Sequence, residues 1–157
     1  MNKQKLTLLQ ERLEQQLDSP ESARFNMKTF GSKYYPSMND AFPEYPPVCG
    51  TQACLAGETV LSTGQGKIHE FGGILLDSDP DTRSSSSGWL IQSEAAKALE
   101  LTKAQAQRLF FFKAWNMENR GWPIKYQRMY ENAKTPQGRL YAAIRRVERF
   151  IETDGRE

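Results

Sequence analysis

The sequence predicts a mainly α-helical fold: a single globular domain over residues 1–157, with about six helices and a small β-hairpin or short sheet. Three observations carry this. Leucines at 6, 9, 13 and 17 recur at helical steps, as do Leu140, Ile144, Val147 and Ile151 near the other end. Start signals at Thr102 and at Thr135-Pro136 stand directly before helical patterns. Strand signals are limited to a short glycine-centred stretch around 68–76 and to WLIQ.

In chain order, residues 1–20 form the N-terminal helix: the leucine stripe is flanked by Gln, Glu, Lys and Arg, and Asp18-Ser19-Pro20 ends it. The run ARFNMKTFGSKYYPSMNDAFPEYPPV holds spaced aromatics and four prolines. It is expected to be an extended, packed loop, because proline removes a donor and biases its predecessor away from helix. Thr51 is then read as an N-cap for a short helix from Gln52 to Leu61, closed by Gly64 and Gly66. Ile68, Phe71, Ile74 and Leu76 around Gly72-Gly73 suggest a hairpin. Residues 77–88, rich in Ser and Asp, are expected to be a mobile polar loop, and WLIQ one more short strand. Ser93 is read as the N-cap of SEAAKALEL. Thr102 with Gln105 makes a capping box for the next helix, whose end at Phe110-Phe111-Phe112 should be deeply buried. Trp122-Pro123 opens a segment carrying Ile124, Tyr126, Met129 and Tyr130 at helical spacing. Thr135-Pro136 starts the last helix, and Asp154-Gly155 stops it.

Composition excludes some classes. Aromatics at 11% argue against a disordered chain. No apolar run is long enough for a transmembrane helix, and the start lacks a signal-peptide centre, so the expected compartment is the cytoplasm with no membrane partner. Two cysteines in a chain of this size do not make a disulfide framework. Charge is divided unevenly. Residues 1–100 carry 9 basic and 13 acidic side chains, residues 101–157 carry 12 and 6. A basic C-terminal third can face nucleic acid or another anion, or it can complement the acidic part within one domain.

Chemistry concentrates in PPVCGTQACLAGETV. Cys49, Ala53 and Gly57 recur at steps of four, which is a small-residue face suited to close packing. A thiol enzyme would place Cys49 or Cys54 at a helix start, where unpaired N–H groups lower a thiol pKa, and use His69 as its base. A zinc site from Cys49, Cys54 and His69 would have the loose spacing C-x4-C-x14-H, so neither a metal nor a cofactor is expected. The same helix start, Gly50, Thr51 and Gln52, could offer N–H groups to a phosphate, with Tyr34, Tyr35 and Tyr45 stacking on a base. The Lys of a P-loop is absent. Ala95–Leu109 has a helix-turn-helix outline, with Glu100 where glycine is common, and an ordinary helix pair is the better reading. Arg139, Arg145, Arg146 and Arg149 of the last helix could meet an anionic partner. Pairs with Glu148 and Glu152 balance part of that charge, so a solvated face is expected.

RFNMKTF, CGTQACLAGE, LELTKAQAQRLFF and AAIRRVERFIETDG together resemble a family of small bacterial and phage proteins with a CGTxACxAG core motif and a terminal RIxxFIxT helix. The resemblance spans roughly residues 24–154, and no activity is known for that family. Two positions depart from it: Asn26 stands for the usual Asp, and Glu58 where an aromatic or histidine is expected. The resemblance implies a helical domain and a phage or mobile-element setting. On these grounds the expected function is a non-catalytic binding or regulatory protein acting on a host protein or a small nucleotide-like ligand. A Cys–His enzyme and a nucleic-acid binder are the alternatives.

Overall fold

Asn2 opens the first helix as a true cap: its side-chain oxygen accepts from the Lys5 N–H at 3.1 Å. The computed structural model describes residues 1–17, 32–33, 51–52, 54–68, 74–79, 86, 88–112 and 121–157. Within them lie six helices: α1 (Lys3–Leu17), α2 (Leu55–Ser62), α3 (Gly88–Ala98), α4 (Lys103–Phe110), α5 (Ile124–Asn132) and α6 (Pro136–Glu152). Four short strands form two antiparallel pairs. β1 (Ser32–Lys33) pairs with β2 (Thr51–Gln52), and β3 (Gly66–Ile68) pairs with β4 (Ile74–Leu76).

The leucine stripe of α1 is buried as its spacing requires. Leu6, Leu9 and Leu13 are shielded from solvent and pack chiefly on α6. Each such side chain contributes roughly 1.5–3 kcal/mol on burial. The facing stripe of α6, with Leu140, Ala143, Ile144, Val147 and Phe150, belongs to the same cluster. Leu55, Ala56 and Val60 of α2, Ile91, Ala95 and Leu99 around α3, Leu109 and Phe110 of α4, and Tyr126 and Tyr130 of α5 complete it. One apolar core is thus shared by all six helices. Trp122 joins it at the entry to α5, with its indole N–H donating to the Leu109 carbonyl at 2.8 Å. Phe112, Trp122 and Tyr130 meet edge to face or tilted, with centroids 5.0–6.2 Å apart.

Three helices end alike. The residue after the cap turns left-handed, and the next N–H reaches back to the last full turn. After α2, Gly64 has φ +69° and Gln65 N–H meets Val60 O. After α3, Glu100 has φ +55° and Leu101 N–H meets Ala96 O; after α6, Asp154 has φ +53° and Gly155 N–H meets Phe150 O. Glu100 and Asp154 hold a conformation that costs a side-chain-bearing residue about 1 kcal/mol.

These ends converge. Asn2 N–H donates to Leu99 O and its amide to Glu100 Oε1, while Lys3 pairs with Asp154 at 2.6 Å. Gln105, in the first turn of α4, donates to Asp154 O. The positive starts of α1 and α4 therefore lie against the negative ends of α3 and α6, a favourable alternation of helix dipoles. The expected capping box is present on both sides: Thr102 Oγ1 accepts from Gln105 N–H, and Gln105 Oε1 accepts from Thr102 N–H. Thr135 caps α6 through Gly138 N–H.

Four expectations are corrected. Thr51 and Gln52 are not the start of α2; they pair with Lys33 and Ser32, and Cys54 stands at the cap position in extended conformation. WLIQ is helix, not strand, and Ser93 lies inside α3. Within the stretch 77–88, read as a mobile polar loop, Ser86 is buried, its N–H on Ile74 O and its hydroxyl accepting from Leu76 N–H, which ties it to β4; residues 80–85 and 87 lie outside the described residues. Ile124, placed in the apolar pattern of α5, is 66% exposed.

Candidate functional site

Arg146 is the residue whose position differs most from expectation. Helical geometry puts it four residues after Ala142, three after Ala143 and four before Phe150, all of them buried. Its neighbours in sequence, Arg145 and Arg149, point outward instead. Arg146 is therefore carried into the interior and is fully shielded from solvent, not part of a solvated face. One guanidinium N–H, on Nη2, donates to the Arg108 carbonyl at 2.9 Å. Nε and Nη1 have no hydrogen-bond partner among the described residues. The guanidinium carbon lies 5.3 Å from the Phe150 ring centroid and 6.0 Å from that of Tyr126, within cation–π range. No salt bridge to Arg146 is found among the described residues. Desolvation pulls its pKa down to about 10, against the charges of Tyr126 and Glu157 that favour its protonated form. Burial without a carboxylate outweighs the stabilising contacts.

Around it lie two further arginines. Arg108, half-buried on α4, donates from Nη1 to the Gly155 carbonyl at 3.0 Å. Arg149 binds Glu157 through Nε at 2.7 Å and Glu152 through Nη1 at 3.3 Å. These acceptors hold the Arg149 pKa above its ordinary value, with the Glu157 hydrogen bond the largest cause. The turn after α6 rests directly on this region. A Cβ at Gly155 would come within 3.0 Å of both Phe150 and Gln105, so the backbone is closely seated there. Of the other arginines named from sequence, Arg145 is satisfied by Glu148, and Arg139 is half-buried, its Nε without a hydrogen-bond partner among the described residues. Arg108 and Glu157 carry no spacing signal that would single them out; only the packing of α4 on α6 brings them in.

The thiol candidate fares differently. Cys54 stands at the start of α2 and is 2% exposed. The expectation that a helix start lowers its pKa is corrected: burial pushes the thiol up, against backbone N–H groups of Gly57 and Ala56 that pull it down. Cys54 is thus held as a thiol and packs as a small hydrophobe. Cys49 and His69 lie outside the described residues, as do Gly50, Tyr34, Tyr35 and Tyr45, and with them the cysteine–histidine and phosphate-cradle sites. Among the described residues no three metal-ligating side chains stand together, and no helix is long and apolar enough to cross a membrane.

Glu58 contributes a second interior polar contact. It lies in the first turn of α2, buried, and accepts from Arg12 Nε at 3.1 Å and Gln16 Nε2 at 3.0 Å. This paired carboxylate joins α2 to α1. Comparison with protein-family models, with curated proteins and with solved structures finds no match for the chain.

Proposed function

We infer that this chain is a non-catalytic binding or regulatory protein whose ligand is a small nucleotide-like anion. The observation that carries this reading is Arg146: a guanidinium enclosed by apolar and aromatic groups, whose Nε and Nη1 have no hydrogen-bond partner among the described residues. A buried charge in that state costs several kcal/mol unless something offsets it. Planar, bidentate donors of this kind match phosphate and carboxylate oxygens, and nearby rings suit a base or sugar face. Cys54, shielded and held protonated, offers no nucleophile to the thiol-enzyme alternative. In the phage or mobile-element setting implied by the resemblance, a small cytosolic protein of this type would sequester or sense a host signal nucleotide, or bind a host protein.

The test is a thermal-shift and calorimetric panel on the full chain: mono- and cyclic nucleotides, inorganic phosphate, and a short single-stranded RNA. Saturable stabilisation by at least one nucleotide, at low salt and in ~150 mM salt alike, is the expected result, since an enclosed pair is screened far less than surface charge. Stabilisation by the RNA alone, falling steeply with salt, would instead favour the nucleic-acid reading. No shift with any member of the panel would remove the small-ligand reading.

A further inference from the structure

Three arginines from two helices gather beneath the turn that follows α6, and each is engaged differently. Arg146 is enclosed, and its Nε and Nη1 have no hydrogen-bond partner among the described residues. Arg108 is half-buried and gives one N–H to a backbone carbonyl, Gly155 O. Arg149 is at the surface and is held by the Glu157 carboxylate. The turn is seated by Gln105 on Asp154 O, by Lys3 on the Asp154 carboxylate, and by Gly155 against Phe150, whose ring in turn lies on the Arg146 guanidinium.

We propose that Arg108, Arg146 and Arg149 form a phosphoryl-binding site, and that the Glu157 carboxylate is an internal stand-in for the ligand. The proposal rests on the nucleotide reading above and deepens it by naming the site and its occupant. Three features converge on it. Three guanidinium groups share two nearby carboxylates, Glu152 and Glu157, so the cluster is short of negative charge. Both carboxylates bind only the outermost arginine, although Glu157 is close enough for its charge and that of Arg146 to act on each other. Two of the contacts that hold the turn, Lys3 on Asp154 and Glu157 on Arg149, are exposed and weak, so the end of the chain beyond the seated Gly155 can yield. A phosphoryl group, with more acceptor oxygens than a carboxylate, can engage the fork of Arg149 and the Nε and Nη1 N–H groups of Arg146 together once Glu157 swings away. Arg108, released from Gly155 O, would supply the third side. The site is therefore self-covered: ligand entry and release of the turn are one event.

The experiment compares inorganic phosphate and adenosine monophosphate by isothermal titration on four full-length proteins: the wild type, Glu157→Gln, Glu14→Gln as a control that removes one acid from α1, and the double variant Glu157→Gln/Arg146→Met. Circular dichroism melts verify folding of each. The expected result is phosphate affinity roughly threefold or more higher in Glu157→Gln than in wild type, on the scale of one exposed ion pair. Glu14→Gln should match the wild type, and the double variant should lose the gain. Equal gain from phosphate and from the nucleotide assigns the site to the phosphoryl group alone; a larger gain from the nucleotide assigns it to the whole molecule. Unchanged affinity in Glu157→Gln, equal gain in Glu14→Gln, or the gain retained in the double variant overturns the site. Nucleotide binding by the wild type that survives Arg146→Met would leave the broader reading standing and place the ligand elsewhere. No binding by any of the four would remove both.

Discussion

Replacing Arg146 by methionine should make the protein more stable. The magnitude follows from its surroundings. Holding the guanidinium pKa down at about 10 means that folding disfavours its charged form. Each tenfold change in proton affinity is ~1.4 kcal/mol, so the penalty at neutral pH is on the order of 3 kcal/mol. Against this stand the hydrogen bond to Arg108 O, worth about 1 kcal/mol net, and the two ring contacts, together ~0.5–1 kcal/mol. Methionine is flexible and of similar length, so it can fill the space between Tyr126 and Phe150 without leaving a large void. The balance is a gain of about 1–2 kcal/mol, or roughly 3–6 °C in melting temperature for a chain of this size. The sign with pH is definite. Arg146 has its folded-state pKa below its unfolded value, so its penalty is fully present below about pH 10 and fades only above it. The difference between wild type and variant should therefore be flat from pH 6 to 9. Differential scanning calorimetry and urea unfolding at pH 7 measure the effect. A variant that melts several degrees lower than wild type would refute the reasoning, because it would mean that the guanidinium is fully compensated in the fold.

Further outcomes follow from local geometry. Thr102→Ala should remove the half of the capping box in which Thr102 Oγ1 accepts from Gln105 N–H and cost about 1 kcal/mol in urea unfolding, while Thr102→Ser keeps most of it. Gly66→Ala would place a Cβ 2.7 Å from Leu75 O and 2.9 Å from Val60 Cγ1, and should cost ~1–3 kcal/mol through displacement of β3 from β4 and α2. Cys54 has its folded-state pKa raised, so its contribution is fully present below the unfolded value and is lost as pH rises through the alkaline range. Stability should fall from pH 8 to pH 10 in a Cys49→Ser background, and that fall should shrink when Cys54→Ala is added. In the same background a thiol reagent should label Cys54 only as fast as the protein opens.

The parts of the fold that were legible are those decided within a turn or two of chain. Leu6, Leu9 and Leu13 report their own burial through spacing, and Thr102 and Thr135 report helix starts through side chains that cap at fixed offsets. Thr51 was misleading because its partner, Lys33, is remote in sequence; strand pairing took a residue that local rules assign to a cap. WLIQ is a short apolar run, and periodicity cannot separate strand from buried helix at that length. Glu100 shows the same limit from the other side: its left-handed turn is set by the docking of Leu101 and Asn2, not by its own preference. Arg146 was legible in part. Ala142, Ala143 and Phe150 mark its face as interior, but the pairing of Arg145 and Arg149 with glutamates three residues on suggested that all the arginines were solvated. The residues that complete the candidate site, Arg108 and Glu157, arrive from separate elements and become visible only after α4 and α6 are packed.

The meeting of helix ends around Asn2, Glu100 and Asp154 also bears on how fast this fold can form. Helical proteins usually fold quickly because their contacts are local. Here the first helix finds its cap partner 98 residues away and packs mainly on the last helix. Closing a loop of that length costs roughly 4 kcal/mol of chain entropy before the contacts repay it. The first helix, short and polar on most of its surface, has little to hold it until then. The kinetics should accordingly resemble those of a mixed fold more than a simple bundle, with α1 docking late.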